Sequence, residues 1–150
     1  MSNPLPLTGS CQCGAVTYEV TKEPLASMVC HCQDCQKLSA SAYSTTLAVE
    51  EDALIVSGEL GCYERVADSG RKNFAYFCVG CGNRIYHQDP DAPSFKRLKA
   101  GTLDNAAIPE PKAHVFVSRK QPWVVIPEGT PTFDEGMPPE EFKKVFLRKG

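Results

Sequence analysis

Gly9-Ser10-Cys11-Gln12-Cys13-Gly14-Ala15-Val16-Thr17-Tyr18-Glu19-Val20 carries the two signals that decide the fold. Val16, Tyr18 and Val20 alternate with polar neighbours, the period-2 pattern of a half-buried strand. Just ahead of them, Cys11 and Cys13 share one face of an extended chain, and Gly14 follows where the backbone has to turn tightly.

Both signals recur along the chain. The sequence contains eight cysteines in 150 residues. Beyond the first pair they fall as Cys30-His31-Cys32-Gln33-Asp34-Cys35 and Cys78-Val79-Gly80-Cys81-Gly82, with Cys62 alone between them. Thiols one or two residues apart bridge each other only with strain, but they can converge on one metal ion. A chain of this size does not need covalent staples, so the spacing points to metal rather than a disulfide framework. Zinc is the expected ion for all-thiolate sites in a reducing compartment. The economical partition joins Cys11, Cys13, Cys78 and Cys81 into a closed four-thiolate site. Cys30, Cys32 and Cys35 then form a three-thiolate site that leaves one coordination position to another ligand. Spacing does not force this choice: the triplet with His31, His87 or Cys62 would make a second closed site.

Strand patterns continue at Ala42–Val49, Ala53–Ser57, Asn73–Cys78, Arg84–His87, Ser94–Gly101 and Ala113–Ser118. Turn residues separate several of them, at Asp68–Gly70, Asp89–Pro93 and Pro109–Pro111. Pro138–Leu147 reads as a helix, with Pro at its start, acids in the first turn, bases at the end, and Phe142, Val145 and Phe146 on one face. A short helical turn is expected over Gln33–Leu38. The chain is therefore expected to be mainly β with a short C-terminal helix. Residues 1–126 are expected to form a zinc-binding domain. The Pro-, Gly- and acid-rich segment and helix of 127–150 would pack on it or extend from it. There is no internal repeat, Walker-type loop, dinucleotide glycine motif or nucleophile elbow.

Composition narrows the function classes. Apolar residues make up 42% and charged residues 23%, ordinary globular usage. No apolar run reaches the length of a membrane helix. Met1–Leu7 lacks the basic start and apolar stretch of a signal peptide, so a cytoplasmic protein is expected. The formal charge of −2 would fall to about −5 with seven thiolates and two zinc ions, which argues against a nucleic-acid or anionic-membrane partner.

Gly9–Gly14, Cys30-His31-Cys32-x-x-Cys35-Gln36-Lys37 and Phe77-Cys78-x-x-Cys81-Gly82 resemble the motifs of the glutathione-dependent formaldehyde-activating enzyme family, which also includes centromere protein V. Ala100–Asp104, His114–Ser118 and Pro122-Trp123 are similar as well, so the likeness runs from Leu7 to Ile126. It implies a β-tent fold with a structural zinc on Cys11, Cys13, Cys78 and Cys81, and an active-site zinc on Cys30, Cys32 and Cys35. It also implies carbon–sulfur lyase chemistry: glutathione adding to formaldehyde, or the reverse. Two positions depart from the pattern, Ala40 where relatives usually have Gly and Val79 where Pro is common.

An ion with three thiolates carries a formal charge of −1. It is a weaker Lewis acid than a three-histidine site, and it suits a further soft ligand such as a substrate thiolate. Ser39, Ser41, Tyr43 and His31 are the nearby residues that could move the proton of the hemithioacetal oxygen. Lys37, Arg65, Arg71 and Lys72 are the cations available to the carboxylates of glutathione, although solvated surface charge is the plainer reading. His31 is expected to point away from the metal. His87 and His114 read as strand histidines, and Cys62 and Trp123 as core. The competing functions are a non-catalytic zinc scaffold for a protein partner and a thiol redox switch.

Overall fold

The computed structural model describes residues 4–66, 70–105 and 109–146. Among the described residues, ten strands and two helices follow the expected mostly β pattern. In chain order they are β1 (Leu7–Ser10), β2 (Thr17–Val20), β3 (Ala26–Cys30), α1 (Gln33–Ser39), β4 (Ser44–Glu50), β5 (Leu54–Ser57), β6 (Leu60–Val66), β7 (Lys72–Cys78), β8 (Arg84–Gln88), β9 (Phe95–Lys99), β10 (Ala113–Val115) and α2 (Pro139–Phe146). The chain divides into two units. One comprises Met1–Pro24 with Leu47–Pro109, the other Leu25–Thr46 with Glu110–Gly150, and β4 runs from the second into the first.

In the first unit, β2 sits between β1 and β5 in an antiparallel sheet, pairing Tyr18 with Gly9 on one side and with Val56 on the other. A second antiparallel run passes from β9 through β8 and β7 to β6. The inward positions predicted by alternation, Val16, Tyr18 and Val20, are buried with Leu47, Val49, Leu54, Ile85 and Leu98. Cys11 and Cys78 are buried in the same cluster, so two thiols of the outer pairs are part of the core. Gly14 and Gly82 both have positive φ, +81° and +76°, as the turns after the two cysteine pairs require.

In the second unit, β10 pairs parallel to β3, with His114 beside Val29 and Val115 beside Cys30. Ala26, Val29, Ala113 and Val115 are buried in this unit, as are His31 and His114. The helical turn expected at Gln33–Leu38 is α1. β10 stops at Val115, short of the expected Ser118, because Phe116 takes a left-handed conformation (φ 54°) and a 3-10 turn follows over Val117–Arg119.

Three strands escaped the sequence reading: β1, β3 and β6. The burial runs BBiBi in β3 and β6 is largely exposed, while β1 alternates but spans only four residues with Leu7 as its one large apolar side chain. Two core assignments are corrected. Cys62 is exposed, because β6 is an outermost strand paired on one side only. Trp123 is 72% exposed, because its loop wraps its carbonyls inward around Lys120 Nζ, which donates to Gln121 O and Val124 O. In α2, Phe142 and Val145 are half-buried as expected for one apolar face, whereas the side chain of Phe146 lies outside the described residues. Asp68, Ser69 and Leu147 also lie outside them.

Ala40 explains one departure from the family pattern. It caps α1 in the left-handed region (φ 51°, ψ 41°), with its N–H turned back to Gln36 O and Lys37 O. That is a Gly position by physics, since a Cβ costs roughly 1 kcal/mol there. Ala40→Gly is expected to raise thermal stability by about 2–4 °C, and a melting curve that falls instead would show that Ala40 is held by contacts of its methyl group.

Candidate metal centres

Cys11 and Cys13 leave β1 on one tight turn, in which Gly14 N–H donates to Cys11 O (3.1 Å). Cys78 closes β7 and Cys81 follows on a second turn, in which Gly82 N–H donates to Cys78 O (2.8 Å). The two turns meet: Gln12 N–H donates to Asn83 Oδ1 (2.9 Å), while Cys78 N–H donates to Asn83 O (3.0 Å). All four sulfurs lie within 4.8 Å of one another. Cys11 Sγ stands 3.6 Å from Cys13 Sγ, and Cys13 Sγ stands 3.7 Å from Cys78 Sγ. A disulfide would bring them to about 2.0 Å. Four sulfurs around a tetrahedral ion at about 2.3 Å stand about 3.8 Å apart, so the observed spacing fits metal ligation.

Backbone amides favour the anionic form of this cluster. Val16 N–H points at Cys11 Sγ (3.3 Å) and Gly80 N–H at Cys78 Sγ (3.3 Å). The amide of Val16, with help from neighbouring thiols, pulls the Cys11 thiol down to about 6 against the cost of burial. A group that ionises this readily is prepared for a cation. Asn83 is the residue that sequence reading missed. Its signal was its place just after Cys81-Gly82, where a side chain can tie two turns together.

The second cluster is local. Cys30 ends β3, Cys32 caps α1 and Cys35 lies in the first turn of that helix, and their sulfurs also fall within 4.8 Å of one another. Cys32 Sγ takes the place of a capping oxygen and accepts from Cys35 N–H (3.3 Å). Hydrogen bonds from the Cys30 and Cys35 thiols hold the Cys32 thiol far below its ordinary range. Among the described residues, no fourth Cys, His, Asp or Glu joins this group.

His31 shapes the triplet by turning the other way. Its N–H donates to Val115 O (3.1 Å), its carbonyl accepts from Gln36 Nε2 (2.8 Å), and its Nε2 lies 2.8 Å from His114 Nδ1. Burial, followed by His114 and Lys120, lowers its pKa, so the ring is neutral at pH 7. Nδ1 is buried without a hydrogen-bond partner among the described residues. We therefore assign the proton to Nε2, donating to His114, because a buried bare lone pair is less costly than a buried bare N–H. With His31 pinned inward, alternation sends Cys30 and Cys32 to the opposite side. Gln36 locks the arrangement: Nε2 also donates to Arg119 O (3.1 Å), and Oε1 accepts from Gln121 (2.9 Å).

The other residues singled out in the sequence separate into clear roles. Ser39 Oγ faces the carbonyls of Cys35 (2.7 Å), Tyr43 (3.0 Å) and Gln36 (3.4 Å), so its hydroxyl proton closes the end of α1 rather than serving chemistry. Tyr43 is partly exposed, with its ring 5.5 Å from that of His31. Arg71 binds the buried Asp89 (3.1 Å). His87 lies in the first unit and neither it nor Cys62 belongs to a cysteine cluster.

The family model for the glutathione-dependent formaldehyde-activating enzyme matches residues 6–119. The chain belongs to this family. A protein of Halomonas elongata named "Putative glutathione-dependent formaldehyde-activating enzyme" is 29% identical over 127 residues, 80% of each chain. A crystal structure of a Rhodobacter sphaeroides protein is similar with a TM-score of 0.53 and 21% identity, covering 84% of this chain and 98% of that one. That likeness concerns the fold.

Because the four-cysteine group joins turns far apart in sequence and the triplet joins none, their losses should differ. Cys78→Ser is expected to halve the bound metal and to cost at least about 4 kcal/mol of stability. Cys35→Ser should also halve the metal yet shift the melting midpoint by only a few degrees. Equal destabilisation by both variants would show that the triplet is a structural staple.

Proposed function

We propose that the chain binds zinc at both cysteine clusters and catalyses reversible addition of a thiol such as glutathione to formaldehyde or a related small aldehyde, a carbon–sulfur lyase reaction. The observation that carries this reading is a three-sulfur cluster drawn from six consecutive residues of a family member, where a metal would cross-link nothing. Such a ligand set is wasteful as a staple and useful as a reaction centre.

Zinc, when bound, would supply Lewis acidity that holds a substrate thiol as its thiolate. Cys30, Cys32 and Cys35 would bind it, and their three negative charges favour a soft sulfur ligand over hydroxide generation. In the addition, the substrate sulfur forms a bond to the carbonyl carbon. The carbonyl π pair moves to oxygen, which takes up a proton to give the S-hydroxymethyl product; the reverse step breaks the carbon–sulfur bond and returns the proton. Ser39 is spent on the helix end and His31 is buried against His114, which leaves Ser41 and Tyr43, and the phenol of Tyr43 is a better proton donor than the alcohol of Ser41. His31 and Gln36 position the cysteine ligands and take no part in the bond changes.

Exchange spectroscopy on labelled formaldehyde with glutathione measures the interconversion of free and bound aldehyde. The zinc-loaded protein is expected to raise the exchange rate above the uncatalysed rate, and Cys32→Ser to remove the increase. An exchange rate that the protein leaves unchanged would overturn the enzyme reading in favour of the zinc scaffold. Tyr43→Phe is expected to lower the catalysed rate by about 10²-fold or more, the usual scale of a lost proton-transfer group, while both metals stay bound.

A further inference from the structure

β6 ends its antiparallel run with one side open. Among the described residues it pairs with β7 alone, over all seven of its residues and without a register shift. The other outer strands are protected. β10 is covered by the chain itself: His114 N–H donates to Pro131 O (3.0 Å), Phe133 N–H to His114 O (2.9 Å) and Phe116 N–H to Glu135 O (2.9 Å). β1 is met by Asp104 N–H, which donates to Thr8 O (2.9 Å), and β5 has only four residues. β6 carries no Pro, Lys or bulge of the kind that discourages pairing. It also exposes Tyr63 and Val66, by 52% and 65%.

The neighbouring strand tells which backbone groups of β6 face the open side. Cys78 N–H donates to Asn83 O (3.0 Å) and Cys78 O accepts from Gly82 N–H (2.8 Å), so both groups of Cys78 point away from β6. Opposed residues of an antiparallel pair point either both at each other or both away. Leu60, opposite Cys78, therefore turns its N–H and C=O outward, and by alternation so do Cys62, Glu64 and Val66.

A second copy of the strand fits this row best in one register. A two-fold axis perpendicular to the sheet keeps every residue on its own face, so a residue can stand opposite only its own copy or one an even number of positions away. With Cys62 on the axis, Leu60 meets Glu64 of the second copy, Gly61 meets Tyr63 and Glu59 meets Arg65. The outward groups of Leu60, Cys62 and Glu64 then all pair, and opposite charges face each other at two symmetric places. Centring on Tyr63 would set the two Glu64 side chains diagonally adjacent, and centring on Glu64 would oppose them directly. Centring on Gly61 would move Arg65 past Glu59. Arg65 also interacts within its own chain, and its guanidinium has donors enough for both contacts. Gly61 adds a fit of shape. It lies under the ring of Phe77, where an added Cβ would come 2.6 Å from Phe77 Cζ. Tyr63 of the second copy, standing opposite this bare position, gains that ring as an aromatic neighbour.

We propose that β6 is a homodimer edge, at which two copies of the chain pair antiparallel about a two-fold axis at Cys62 and continue one sheet into the next. Charge selects a second copy over a generic extended peptide, because Glu59 and Arg65 of one strand meet Arg65 and Glu59 of the other. The interface lies wholly in the first unit and does not depend on the aldehyde chemistry proposed above.

Sedimentation of the metal-loaded full chain, from micromolar to millimolar concentration, is expected to show a monomer–dimer equilibrium. The amides of Cys62 and Glu64 should gain protection from hydrogen exchange as the dimer forms. Glu59→Arg and Arg65→Glu each oppose like charges at both symmetric places, and each should weaken the dimer at least about tenfold. Mixed together, the two variants should form a heterodimer of near-parent affinity, since every contact between positions 59 and 65 then joins opposite charges. A misfolded variant could not recover in this way. Glu64→Pro removes an outward N–H and leaves the ladder to β7 in place, so it should give a monomer that melts like the dilute parent chain. A chain that stays monomeric at millimolar concentration overturns the proposal. So does a mixture of the charge variants that associates no better than either alone, or a dimer that Glu64→Pro leaves intact. Protection of Cys62 and Glu64 only on adding an unrelated extended peptide would overturn it too, and would make the edge a peptide-binding strand.

Discussion

The first unit depends on one convergence: four sulfurs from two turns separated by 65 residues, held within 4.8 Å. Thiolates so close repel one another unless a cation sits among them, so the cluster is favourable only when loaded. Its position makes that electrostatic condition structural. Cys11 and Cys78 are buried among Val16, Tyr18, Leu47 and Ile85, and Asn83 ties the two turns through both its side chain and its carbonyl. Packing of the core and ligation of an ion at this cluster would therefore constrain the same atoms, and neither could relax without the other.

The triplet obeys a different logic. Its residues are neighbours in sequence, so ligation closes only a short loop and contributes little to chain entropy. What it requires is orientation, and the structure supplies this from the inside. His31, anchored at its N–H, its carbonyl and its ring, fixes the direction in which Cys30 and Cys32 must face. Cys32 and Cys35 are then placed by the first turn of α1, whose capping bond uses sulfur in place of oxygen. The reaction centre proposed for the triplet would gain from this division, because its ligands would be held by groups that are not themselves ligands.

Much of this was legible in the sequence, and the reasons are local. The strand after Gly14, the grouping of cysteines and the inward turn of His31 all follow from period-2 alternation and short spacing. Strands β3 and β6 were not legible because their burial does not follow period-2 alternation, and β1 because four residues with one large apolar side chain are too short a pattern. Cys62 and Trp123 failed for a related reason: apolar character predicts a preference for burial, whereas burial itself depends on whether another element covers that side. Ala40 shows the reverse case. Its departure from the Gly usual in relatives was visible at once, and only the backbone dihedral gave it meaning.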